Sequence, residues 1–276
     1  MQENRNEYYR SFYDEQSTYW SSVYKENTER LTIYARHFRQ RRNVILNMIK
    51  KLSNAKGKNA LDAGCGPGAY IRPFLDLGYN VHAIDQSSGM IKNAEENVPD
   101  KDKDRVILKV SGIESIPFPD EKFDLVTNVA VLMYVPDEKK ATNELYRVTK
   151  PGGTLIITID NKRDFPDLID IPMRIKGVLR RIRKDDKSRA DKHAGQHKQE
   201  VQPRCYSPKE MRHLLESAGF IIDEQTSIGF TPLLFNHRRI FNDKVDIFID
   251  RLLQFFRYIP VLKLTGYTYI CRCHRP

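Results

Sequence analysis

The chain has 276 residues, 40% hydrophobic and 10% aromatic, which is too apolar for a disordered protein and enough for one elaborated globular domain. Its 46 Lys and Arg against 36 Asp and Glu give a formal +10, spread unevenly: residues 1–56 carry +5, 57–160 carry −4 and 161–276 carry +9. An acidic middle between basic flanks reads either as a solvated surface or as a cofactor-binding core with additions that meet phosphate, carboxylate, lipid headgroup or nucleic acid.

Taken in chain order, residues 7–24 are rich in aromatics and residues 28–52 carry apolar positions at helical spacing, predicting two helices. From Asn59 the texture changes to a short apolar strand (Ala60, Leu61), a glycine cluster, a helix through Phe74 and a strand from Tyr79 to Ile84 that enters Asp85. A helix near 88–96, strands at 105–110 and 123–127, a helix at 137–149 and a strand at 154–159 continue the alternation. Such alternation predicts an α/β fold. After Asp160 it stops for about 45 residues and resumes at a helix capped by Ser207, with Pro208 at its first position and Glu210 completing a capping box. A strand at 220–225, a very apolar helix at 242–257 and a last strand at 267–273 close the chain. The expected organisation is a helical N-terminal lid over 1–56, a cofactor-binding core over 57–160, a basic insertion over 161–206 that caps the substrate, and a C-terminal part of the core over 207–276.

Cys65, Cys205, Cys271 and Cys273 form neither a CxxC nor a paired Cys/His spacing, so no metal site is expected and a reducing cytoplasm is. No apolar run suggests a signal peptide or a membrane span, leaving at most peripheral membrane contact.

The informative stretch is Leu61-Asp62-Ala63-Gly64-Cys65-Gly66-Pro67-Gly68-Ala69, between a strand and a helix. Glycines there let backbone approach a ligand, and the helix start offers free N–H groups. Asp85, ending the second strand, stands where a carboxylate can accept from both hydroxyls of a ribose, which points to an adenosine-type ligand without saying which. Further along come Ser115-Ile116-Pro117-Phe118-Pro119-Asp120, Phe123-Asp124-Leu125-Val126 and Lys150-Pro151-Gly152-Gly153-Thr154-Leu155. Together these resemble the class I S-adenosylmethionine-dependent methyltransferases over roughly residues 58–160.

The resemblance implies a Rossmann-like, mostly parallel seven-stranded sheet with helices on both faces and an antiparallel last strand. It implies S-adenosylmethionine as cofactor and S-adenosylhomocysteine as product. Gly64 and Gly66 would face the methionine part, with Asp62 near its amino group; Asp85 would bind the ribose, bordered by Gln86 and Met90. Gly112 and Ile113 would border the adenine, although relatives commonly carry Asp where Gly112 stands. Asn128 and Met133 would lie near the sulfonium, and Tyr19 resembles a lid tyrosine over the methionine carboxylate.

Methyl transfer from a sulfonium is an in-line displacement, so positioning in a dry pocket supplies most of the catalysis and a base is optional. Tyr134, His193, His197 and His237 are candidates for that base, Tyr134 and His197 foremost. The acceptor belongs to the additions. Residues 174–192 hold 9 basic and 3 acidic groups beside the apolar stripe Ile171, Ile175, Val178 and Ile182, which suits an interfacial helix on an anionic membrane surface, a lid over an anionic substrate, or an ordinary surface helix. The apolar helix at 242–257 could roof a hydrophobic acceptor or complete the core. The reading that follows is O- or N-methylation of a small anionic or lipid-linked metabolite. RNA methylation is the alternative, disfavoured because Asn128-Val129-Ala130-Val131 is not the Asn/Asp-Pro-Pro-Tyr/Phe tetrapeptide of exocyclic-amine methylation. A non-catalytic nucleotide binder or an NAD-dependent oxidoreductase comes after it, and the sequence leaves oligomeric state open.

Overall fold

The computed structural model describes residues 2–24, 32–52, 55–162, 164–169, 203–235, 238–260 and 262–276. The basic stretch at 174–192, with its candidate lid or interfacial helix, and His193, His197 and His237 lie outside them.

Seven strands form one sheet: β1 (Asn59–Ala63), β2 (Asn80–Asp85), β3 (Val106–Val110), β4 (Phe123–Val129), β5 (Thr149–Asp160), β6 (Ile221–Ile228) and β9 (Thr268–His274). Their order is β3-β2-β1-β4-β5-β9-β6. The first five run parallel, and β9 is antiparallel to both of its neighbours. β7 (Leu234–Phe235) and β8 (Arg238–Arg239) make a separate hairpin that the sequence pattern does not reveal. The central strands read as apolar runs because both faces are covered. On β5, Leu155 and Ile157 pack with Met211 and Leu215, whereas Ile156 between them packs with Ile45, Phe74 and Ile270 on the other face. β5 starts at Thr149, five residues before the expected Thr154, because Thr149 already pairs with Phe123 ahead of the Lys-Pro-Gly-Gly turn.

Three helices precede the sheet: α1 (Gln2–Glu15), α2 (Ser17–Tyr24) and α3 (Ile33–Lys50). α4 (Ile71–Leu77), α5 (Ser88–Glu96), α6 (Glu138–Val148) and the short α7 (Phe165–Ile169) lie between strands, followed by α8 (Pro208–Ser217) and α9 (Asp243–Leu253). The capping box of α8 forms as the sequence predicts, Glu210 N–H donating to Ser207 Oγ and Ser207 N–H to the Glu210 carboxylate. No described helix is long and apolar enough to cross a membrane. Chain order reverses between β1 and β4, and it is beyond the carboxyl ends of such strands that an open α/β sheet forms its crevice.

α9 overturns a sequence expectation. Its apolar residues were to roof an acceptor or fill the core, yet Val245, Phe248 and Leu252 are exposed, while Asp246 and Asp250 are fully buried. Coulombic partners decide the register. Asp250 accepts from Arg36 Nε at 2.9 Å, Gln40 Nε2 at 2.8 Å and Phe230 N–H at 3.1 Å, and Asp246 accepts from Arg239 of the hairpin at 2.5 Å. Burial works to raise the Asp250 carboxyl, but His37 and these donors outweigh it and hold it well below the usual carboxylate range. Phe256, just beyond the helix, turns inward, its ring 5.2 Å from Phe165 and 5.6 Å from Phe230.

This inverted helix makes an inverted mutational pattern the expected result. Asp250→Ala leaves buried donors unpaired and should lower unfolding free energy by ~3 kcal/mol, while Phe248→Ala should change it by less than ~0.5 kcal/mol. Urea midpoints of the two variants check both.

Candidate functional site

One cavity of about 530 Å³ opens above the carboxyl ends of β1, β2 and β4. Gly64 and Gly66, directly after β1, have φ of +86° and +51°, and Gly64 and Cys65 N–H both donate to Ile84 O. A Cβ at Gly64 would stand 2.2 Å from Val131, so that position excludes every side chain; a Cβ at Gly66 would meet only open space. Asp85 Oδ2 accepts from Gly66 N–H at 2.9 Å and Oδ1 from Ser87 N–H at 3.0 Å. Burial raises the Asp85 carboxyl, and those N–H groups oppose the rise.

Asp62 lies at the cavity floor. Thr127 Oγ1 donates to its Oδ1 at 2.9 Å, while Oδ2 is buried with no hydrogen-bond partner. Burial pushes this carboxyl up to about 7, against the Thr127 bond and helped by the nearby charge of Asp85. A carboxylate oxygen left without a donor in such a place suits an incoming cation.

Gln86, Met90, Gly112, Ile113 and Met133 also line the cavity. Asn128 does not. It is buried within β4, where its Nδ2 donates to Ala63 O at 2.8 Å, so it supports the glycine loop from behind instead of facing a ligand. Nothing crowds Gly112; the Glu114 carboxylate comes within 4.0 Å of where a side chain at 112 would begin, and it lines the cavity.

The N-terminal helices cover this space. Asp14, at the end of α1, accepts from Ser87 Oγ at 2.5 Å and Gly89 N–H at 3.0 Å, which seats α1 on the start of α5. Arg5 Nη2 donates to Met133 O at 3.1 Å and ties the other end of α1 to the loop after β4. Tyr19 lines the cavity but is 58% exposed, whereas Tyr13, also in the lining, hydrogen-bonds Tyr134 and meets its ring edge-on at 5.4 Å. Burial, with the charge of Asp160, raises the Tyr134 hydroxyl far above its ordinary value against the Tyr13 bond and Arg41. A hydroxyl raised in this way carries its proton at neutral pH.

Beyond the tyrosine pair the cavity continues into an arm that motif reading missed. Tyr34, His37, Phe38 and Arg41 project into it from α3, facing Trp20, Asp160 and Tyr267. The signal was the spacing i, i+3, i+4, i+7 on α3, a stripe that Ile45, Met48 and Ile49 extend into the core. Arg41 is 4% exposed and its guanidinium lies 4.9 Å from the Phe38 ring. His37 Nε2 stands 3.7 Å from Asp250, too far for a hydrogen bond, and neither ring nitrogen has a hydrogen-bond partner; nor has the buried Trp20 Nε1.

The residues fit the adenosyl cofactor on structural grounds: a partnerless buried carboxylate oxygen at Asp62, an open left-handed glycine at 66, and a second carboxylate at Asp85 one loop away.

Comparison with known proteins agrees. Residues 61–157 match the family described as a methyltransferase domain. A demethylmenaquinone methyltransferase of Renibacterium salmoninarum is 39% identical over 101 residues, 37% of this chain and 40% of that protein. A malonyl-[acyl-carrier protein] O-methyltransferase of Pseudescherichia vulneris is 30% identical over 135 residues, 49% of this chain and 52% of that one. The chain thus spans about half or less of the length of these curated relatives. Among solved structures, magnesium protoporphyrin IX methyltransferase from Synechocystis with bound S-adenosylhomocysteine shares the fold at TM-score 0.65, with 14% identity over 99% of this chain and 100% of that one. Residues 61–157, with their glycine loop and its flanking carboxylates, are thus the part of the chain that matches a methyltransferase domain.

Proposed function

We propose that the chain moves a methyl group from S-adenosylmethionine to an oxygen or nitrogen of a small acceptor that is anionic or lipid-linked. One observation carries this reading: the cavity joins the glycine-loop end to the aromatic arm of α3, so cofactor and acceptor would share one enclosed space.

In this reading Asp62 holds the cofactor's amino group, Asp85 the ribose hydroxyls, and Ile113 packs on the adenine. Glu114 supplies the carboxylate that Gly112 lacks. Tyr19 stays at the cavity rim and Tyr13 closes over the methionine end. Bound there, the cofactor supplies an electrophilic methyl carbon on a sulfonium, and the acceptor's lone pair displaces a neutral thioether. The Tyr13–Tyr134 pair, enclosed and apolar at its ring edges, keeps water from the transfer line. Arg41 and the donor edge of Trp20 favour an anionic or acceptor-rich molecule, with the rings of Phe38 and Tyr267 as walls. His37, backed by Asp250, is placed to take the acceptor's proton.

Two results follow. Because the amino group of the ligand needs ionised Asp62, the affinity for S-adenosylhomocysteine should fall as pH drops below about 7 and level off above it; Asp62→Asn should bind at least tenfold more weakly at pH 8 and lose that dependence. Calorimetric titration across pH reads both. Arg41→Leu should leave S-adenosylhomocysteine affinity within about twofold of the parent chain, while methylation of a panel of hydroxybenzoates and sugar phosphates, followed by mass spectrometry, should fall at least a hundredfold. Silence of the parent chain across phosphates, carboxylates and lipid-linked acceptors alike would contradict the acceptor class, and binding of NAD in place of the adenosyl thioether would contradict the cofactor.

A further inference from the structure

α9 and the segment around it carry an outward surface that methyl transfer does not need. Val245, Phe248, Leu252 and Phe255 fall on one side and are all exposed, with Phe235 of the hairpin and Tyr258 at its edges; Phe248 is 61% and Tyr258 77% exposed. An apolar patch of this kind on a folded chain marks a contact surface.

Its charge says which contact. Between residues 235 and 258 the acidic residues are Asp243, Asp246 and Asp250, and every one is turned to an internal partner. Asp246 and Asp250 are buried against Arg239 and Arg36, and Asp243 accepts from Ile33 N–H at 3.0 Å and from Arg239 at 3.1 Å. What remains outside is cationic. Lys244 and Arg251 are exposed on the flank of the apolar row, Arg238 on the hairpin, and Arg257 lies over the Tyr258 ring at 5.2 Å. Large apolar side chains with exposed cations beside them, and carboxylates that are each paired to Arg36, Arg239 or the Ile33 N–H, fit the boundary of an anionic lipid bilayer, where rings enter the acyl edge and cations meet the headgroups. A partner protein would need a matching acidic rim around an apolar socket, which a bilayer provides without one.

We propose that this face of α9 and the β7–β8 hairpin docks the chain on anionic membrane lipid. The inference deepens the methyl-transfer reading and rests on it only for its purpose: Asp250, on the inner side of the same helix, stands 3.7 Å from His37 in the acceptor arm, so a docked α9 sets that arm beside the membrane. A lipid-linked acceptor could then be reached without leaving the bilayer.

The test is vesicle flotation of the full chain with phosphatidylcholine alone and with phosphatidylcholine containing phosphatidylglycerol. The proposal requires binding to the mixed vesicles at least tenfold tighter than to phosphatidylcholine, weakening as salt rises. The double variant Phe248→Glu, Leu252→Glu should lose that binding at least tenfold, and Lys244→Glu, Arg251→Glu should lose the preference for the anionic lipid. Both should bind S-adenosylhomocysteine as the parent does, which reports folding and keeps failure of the cofactor reading separate from failure of this one. No binding to anionic vesicles, or binding that both variants retain, overturns the proposal. So does a parent dimer in solution that the Phe248→Glu, Leu252→Glu variant converts to monomer, since a second copy would then be what covers the face.

Discussion

The site depends on the Asp85 carboxylate accepting from two backbone N–H groups at once, Gly66 after β1 and Ser87 after β2. That pair of bonds adds to the β1–β2 pairing and to the Gly64 and Cys65 N–H bonds on Ile84 O, and sets the spacing of the two loops beyond the strands. Ser87 then caps α5 and donates to Asp14, so α1 is placed by the same chain of hydrogen bonds that shapes the glycine-loop end of the cavity. A half-buried carboxylate is tolerated there because two N–H groups donate to it.

A second buried carboxylate organises the opposite end. Asp250 gathers Arg36 and Gln40 from α3 and the Phe230 N–H from the segment after β6, which turns the polar side of α9 inward and its apolar side out. The same bonds hold the α3 stripe of Tyr34, His37, Phe38 and Arg41 against the cavity. The α3 side of the cavity and the outward apolar face are therefore two consequences of one helix register.

The glycine loop, Asp62 and Asp85 could be read from sequence because local chemistry sets them: positive φ, a strand end, a helix start. The alternation of strands and helices gave the α/β class, and the resemblance carried by the motifs implied the seven strands and the antiparallel last one. Side-chain direction was harder. Asn128 and Val129 alternate across β4, and nothing local shows that Asn128 turns to Ala63 O and away from the cavity. Tyr13 and Tyr19 both line the cavity, Tyr13 against Tyr134 and Tyr19 exposed at its rim, because the helix breaks between Glu15 and Ser17 and resets the face presented by α2. His37 and Arg41 were hidden in an ordinary amphipathic pattern, and α9 was misread because its partners, Arg36 and Arg239, come from distant or unpatterned segments.

The measurement that bears most directly on this account is a crystal structure of the chain with S-adenosylhomocysteine. The account predicts its ribose on Asp85, its amino group on Asp62 Oδ2, and its sulfur opening past Tyr13 and Tyr134 toward His37 and Arg41. An adenosyl group seated elsewhere, or a sulfur turned away from that arm, would contradict it.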